Sequence, residues 1–163
     1  MKIAVVGVDR VFVKQKSSEM RMKLALGIYV LAGVVDIALG AAYFAANQFM
    51  SYHAEAVGLP WQELDVGIQT LILGLMKLAG GGWFALGFFT IVTALGTIKT
   101  RSVVARCILP AGVLVSFAAS FVATWGVYEA TGASTPWVPS LAMIGLAILA
   151  LGLDAPWSSS LRN

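Results

Sequence analysis

Apolar residues in this chain neither alternate with polar ones nor keep to a single helical stripe. They gather in four long runs, at residues 24–49, 68–98, 103–128 and 137–153. At about 1.5 Å per residue, runs of this length carry a helix through a hydrocarbon core about 30 Å thick. Only helices and closed barrels satisfy their backbone groups in lipid. The alternation of a barrel strand is missing. The pattern therefore predicts an all-α, four-transmembrane-helix bundle over residues 24–153. It sits between an N-terminal tail, 1–23, and a C-terminal tail, 154–163.

The connections set the direction. Arg10, Lys14, Lys16, Arg21 and Lys23 precede the first run, Lys99, Arg101 and Arg106 cluster around the second connection, and Arg162 lies in the C-terminal tail. The first connection carries Glu55, Glu63 and Asp65 but no Lys or Arg, and the third has only Glu129. Cytoplasmic connections hold the excess of Lys and Arg, so both termini are expected in the cytoplasm. Trp61 and Trp125 read as anchors at the outer interface. Trp137 and Trp157, each following a proline, bracket the fourth run.

Composition agrees with this frame. The chain is 59% hydrophobic and 12% charged, against about 25% charged in soluble domains. Its mean hydropathy is +0.85. No room is left for a separate soluble module. The net charge of +3 follows topology and is no footprint for nucleic acid. The expected surroundings are the lipid bilayer and other membrane chains. Cys107 and His53 stand alone in their types, so one chain builds no disulfide, multi-histidine metal site or bis-histidine haem, and neither metal nor cofactor is expected. Residues 1–13, MKIAVVGVDRVFV, lack a G-x-G-x-x-G turn and a small-residue cleavage site. They read as an unstructured or interfacial cytoplasmic tail and not as a signal peptide.

Polar residues inside apolar runs are the candidates for chemistry. Counting from Leu24 puts Asp36 roughly 18 Å deep, near the midplane. Tyr29, Ala32, Gly33, Gly40 and Tyr43 share its helix face, which should turn inward. A carboxylate at that depth must be neutralised, paired or hydrated. It is either a hydrogen-bonded structural group, a proton or cation carrier, or part of a polar ligand site. Counting back from Ile98 puts Lys77 roughly 31 Å along its helix, at the outer edge beside Tyr43, Asn47 and Gln48. An Asp36–Lys77 pair is then out of register by about 13 Å. Lys77 is expected to reach outward, to Glu55, Glu63, Asp65 or carbonyls near the first loop.

Small residues mark the packing faces. Thr70, Gly74, Lys77 and Gly81 fall on one face, which is expected to meet other helices. The run Gly80, Gly81 and Gly82 serves either as a packing site or as a hinge. Gly112, Ser116, Ser120 and Thr124 recur every fourth residue and should face Asp36, bonding across or back to their own carbonyls. In the first loop, His53 and Glu55 could join Lys77 at the outer mouth, where a histidine titrates near neutral pH. No serine is marked as activated, so no catalytic residue is assigned.

The stretch YHAEAVGLPWQELDVGIQTLILGLMKLAGGGW, Tyr52–Trp83, resembles short four-helix membrane proteins encoded in many bacterial genomes. In these an aromatic–histidine loop precedes a second helix with a basic residue and glycines. The resemblance covers the first loop and half the second run. It marks Tyr52, His53, Trp61, Lys77 and Gly80–Gly82. It implies a four-helix fold in the bacterial cytoplasmic (inner) membrane and brings no activity. Small multidrug transporters share the helix count and an acid in the first helix. Their acid is a glutamate in a different local sequence, and members that insert both ways need little charge bias. The expected function is non-enzymatic: a packing, accessory or lipid- or partner-binding protein, as a homo-oligomer or within a larger membrane complex. The alternatives are a small proton-coupled transporter using Asp36 with Lys77, His53 and Glu55, and a redox or haem-associated subunit with His53 as ligand.

Overall fold

A computed structural model describes residues 3–157, with side chains from residue 15 onward. The chain is all-helical: α1 (Ile3–Ala45), α2 (Ser51–Val57), a single 3-10 turn (Trp61–Glu63), α3 (Val66–Thr100), α4 (Val103–Thr131) and α5 (Trp137–Asp154). Four segments are long and apolar enough to cross a membrane: Gln15–Ala45, Val66–Thr100, Val103–Thr131 and Trp137–Asp154. They correspond to the four apolar runs.

Helix boundaries follow local chemistry. Asp65 caps α3 by accepting from the Gly67 amide at 2.7 Å. Ser102 caps α4 by accepting from the Ala105 amide at 3.3 Å. Gly132 ends α4 with φ 72°, a left-handed conformation that costs glycine little. One expectation changes here. The N-terminal tail was expected to be unstructured or interfacial; from Ile3 it is helical, and α1 enters the first span without a break. Residues 15–23 contain neither Gly nor Pro. Lys23 also pairs with Glu19 one turn earlier, at 3.2 Å.

α1 is the central helix, packed extensively on α3 and less so on α5, while α4 closes the bundle against α5 and α3. The α1–α3 contact is backbone on backbone. Gly33 and Gly40 meet Gly87 and Gly80 in antiparallel register. A Cβ placed on Gly40 would stand 2.5 Å from the Phe84 nitrogen and 2.6 Å from the Gly80 carbonyl oxygen. One placed on Gly80 would stand 2.7 Å from both the Gly40 oxygen and the Phe44 nitrogen. Small residues permit such approach where lipid supplies no hydrophobic drive between helices.

The expected packing face of α3 is therefore corrected. Gly80 packs, but Gly74, Gly81 and Gly82 have nothing within 4 Å of where a Cβ would stand. The inward face is Met76, Gly80, Gly87, Ala94 and Thr97. Gly81 lies about 100° around the helix from Gly80. The face of Thr70, Gly74, Lys77 and Gly81 turns mainly outward. The triple glycine is no break either, since α3 is helical throughout.

Tyr29, Leu26, Leu109, Val113 and Phe117 fill the core, with Ala25, Ala94 and Ala150 where helices run close. Outward positions such as Leu78, Val104, Val115 and Val122 are exposed apolar side chains, a surface suited to lipid.

Candidate functional site

Two ends of the bundle are chemically distinct, and a largely apolar core with a buried Asp36–Ser116 contact lies between them. The basic end gathers Glu19 and Lys23 of α1, Arg101 after α3, Arg106 of α4 and Asp154 of α5. Arg106 and Asp154 form the one buried ion pair among the described residues, with side chains 3% and 1% exposed. Arg106 Nε donates to both Asp154 carboxylate oxygens, at 2.9 and 3.0 Å. Nη2 donates to Oδ1 at 2.8 Å and to the Asp154 carbonyl at 3.0 Å. The guanidinium thus neutralises a buried carboxylate and satisfies a carbonyl at the end of α5, where cations are favoured. Nearby, Arg101 reaches Glu19 at 3.3 Å.

Asp36 lies deep in the bundle and is 1% exposed. Ser116 Oγ donates to its two oxygens at 3.2 and 3.4 Å. This contact joins α1 to α4. The rest of the α4 stripe does not reach across: Ser120 donates to the Ser116 carbonyl at 3.1 Å and Thr124 to the Ser120 carbonyl at 2.8 Å. Gly112 has open space beside it. Tyr29, two turns before Asp36, is fully buried, and its hydroxyl has no hydrogen-bond partner among the described residues.

At the other end, Lys77 Nζ donates to the Phe44 carbonyl at 3.1 Å and lies 5.6 Å from the centre of the Phe44 ring. Phe44 is in the last turn of α1, where carbonyls lack intrahelical partners. A lysine within an apolar run thereby caps the neighbouring helix and favours its negative dipole end.

His53 is held among rings. Its ring centre lies 4.2 Å from Tyr52, 6.1 Å from Tyr43 and 6.2 Å from Phe49. Trp83 and Trp61 extend the cluster against Tyr43 and Phe49. The Tyr43 and Tyr52 hydroxyls are hydrogen-bonded. His53 Nδ1 accepts from the Met50 amide at 3.3 Å, at the start of α2, so this nitrogen is unprotonated. Burial pushes the imidazole below its ordinary value of 6.5. The folded loop favours neutral His53, while the unfolded loop takes up the proton first. Stability from this residue is complete above about pH 6.5 and is lost as pH falls through the lowered value. Fluorescence of the neighbouring Trp61 and Trp83 should report loosening on acidification, and His53→Gln should flatten that response. A response unchanged in His53→Gln would assign it elsewhere.

Glu55 accepts from the Ser134 amide at 2.6 Å, tying the first loop to the α4–α5 connection. Lys77, His53 and Glu55 therefore have separate partners, and no hydrogen bond or ion pair joins any two of them. The expected outer cluster does not assemble. Lys77 is turned to α1, His53 into the rings and Glu55 across to Ser134.

Arg106 and Asp154 are what the sequence reading missed. Arg106 passed as one more topological cation, and Asp154 fell at the edge of the last run. A usable signal existed: Arg106, Pro110, Val113 and Phe117 share a helix face, which made this arginine inward-facing. Comparison of the chain with family models, with curated proteins and with solved structures finds no match.

Proposed function

We propose that this chain is a multi-pass protein of a bacterial cytoplasmic membrane, both termini inside, acting without catalysis through contacts with lipid or with other membrane chains. One observation carries this reading: the buried Asp36, Arg106 and Asp154 and the exposed Lys77 are engaged by partners that tie helices together. Asp36 accepts from Ser116, Arg106 grips Asp154, and Lys77 caps α1. Groups spent in this way brace a scaffold whose outward faces do the work. The orientation is supported by Lys23, Arg101 and Arg106 at one end and by Glu55, Glu63 and Asp65 at the other. The bacterial location is supported by the resemblance of Tyr52–Trp83.

A second reading, proton-coupled transport, is favoured by the depth of Asp36 and by its single hydroxyl partner. Asp36→Asn separates the two. The amide oxygen can still accept from Ser116, so the scaffold reading expects a change in stability within about 1 kcal/mol. In proteoliposomes under a pH gradient it also expects no proton flux from either form. A flux in the wild type that Asp36→Asn abolishes would establish the transport reading in its place.

A further inference from the structure

The basic end contains a small cavity, about 50 Å³, lined by Gln15, Glu19, Met22, Arg101 and Arg106. It has room for a group of a few heavy atoms. We propose that this cavity binds the phosphoryl group of an anionic ligand, in the membrane the headgroup of an anionic phospholipid. The proposal rests on the lipid-contact reading above and gives it a location.

Three observations carry it. First, Arg106 is fixed. Asp154 engages its Nε and Nη2 and holds the guanidinium rigid. Its Nη1 has no partner among the described residues. A planar, pre-oriented guanidinium suits phosphoryl oxygens. Second, Arg101 is adjustable. Its side chain is 57% exposed and, among the described residues, reaches only Glu19, so it can swing onto an arriving anion. Third, the cavity lies at the end of a span. It sits where α3 gives way to α4, at Arg101 and Ser102, which in the orientation proposed above is the cytoplasmic headgroup level. Basic pockets between helices on the cytoplasmic side are suited to anionic headgroups.

Among the described residues, Glu19 is the one acidic group lining the cavity. It is bracketed by Lys23 at 3.2 Å and Arg101 at 3.3 Å. With the Arg106–Asp154 pair neutral, these groups sum to one positive charge. Glu19 thus acts as an internal competitor that occupies Arg101 while the site is empty.

This makes the two partners of one ion pair act in opposite directions. The full chain in neutral detergent is titrated with phosphatidylglycerol, with phosphatidylcholine or with inorganic phosphate, and adducts are counted by native mass spectrometry. Phosphatidylglycerol should be retained over phosphatidylcholine. Arg101→Gln should weaken retention about tenfold, as expected for loss of one charge-assisted hydrogen bond, and Glu19→Gln should strengthen it. Both residues are partly exposed, so both variants should fold, which circular dichroism verifies. A phosphate adduct with the same dependence, without lipid retention, would keep the phosphoryl site and assign it to a soluble ligand. Equal retention of both lipids, or both substitutions shifting retention the same way, would overturn the site. Retention of lipid independent of Arg101 and Glu19 would overturn the site while leaving lipid contact standing. Loss of all lipid and of all protein partners would remove the broader reading as well.

Discussion

Gly40→Ala is expected to destabilise the bundle by about 1–3 kcal/mol, the range for overpacking a filled interface. The added methyl would enter 2.5 Å from the Phe84 nitrogen and 2.6 Å from the Gly80 carbonyl. These are backbone atoms of a continuous helix, so neither can rotate aside. The α1–α3 pair must separate, and contacts along both helices weaken with it. Gly81→Ala supplies the control. Its Cβ meets nothing within 4 Å, and alanine favours helix over glycine by up to about 1 kcal/mol. It should therefore leave stability unchanged or raise it. Denaturation in mixed micelles, followed by circular dichroism, ranks the two variants. Equal effects would mean that α1 and α3 do not touch through Gly40 and Gly80.

Arg106→Ala is expected to cost more, about 3–5 kcal/mol, the range for leaving one partner of a buried ion pair alone. Asp154 would keep a carboxylate 1% exposed with no cation, and its carbonyl would lose the Nη2 donor. Arg106→Lys should recover only part of the loss, because an ammonium cannot reproduce the guanidinium fork. Replacing both residues by leucine should recover more than either single change, since an apolar pair leaves no buried charge. The same micelle denaturation measures all four proteins. A double variant no more stable than Arg106→Ala would show that the arginine acts through something other than Asp154.

How far the fold was legible follows from what each feature depends on. The four runs announce themselves because a span is a local property, set by length and hydropathy. The inward face of α1 was legible for a similar reason. Tyr29, Ala32, Gly33, Asp36 and Gly40 repeat at helical spacing, and all are buried, while Tyr43, expected on the same face, is half-buried. The depth of Lys77 came from counting along a straight helix, and its bond to the Phe44 carbonyl lies at that level.

Other features depend on how two distant segments align. Gly80 and Gly81 are neighbours of the same type, and only the register of α3 on α1 decides that Gly80 packs and Gly81 does not. Arg106 and Asp154 are 48 residues apart, and each looks ordinary alone. Lys77, His53 and Glu55 shared a level, which suggested a cluster. Proximity in depth does not set direction, and α2 with its ring cluster points them apart. The helical start of α1 was obscured because residues 1–23 mix apolar and charged positions without a clear period.

In the proposed function, outward contacts, and not the sealed interior, do the work. Native mass spectrometry of the chain released gently from its own membrane tests this most directly, because one spectrum reports copies, partner chains and bound lipid together. The chain is expected in company: a second copy, another membrane protein or retained lipid. A bare monomer, free of lipid and of any other protein, would contradict it.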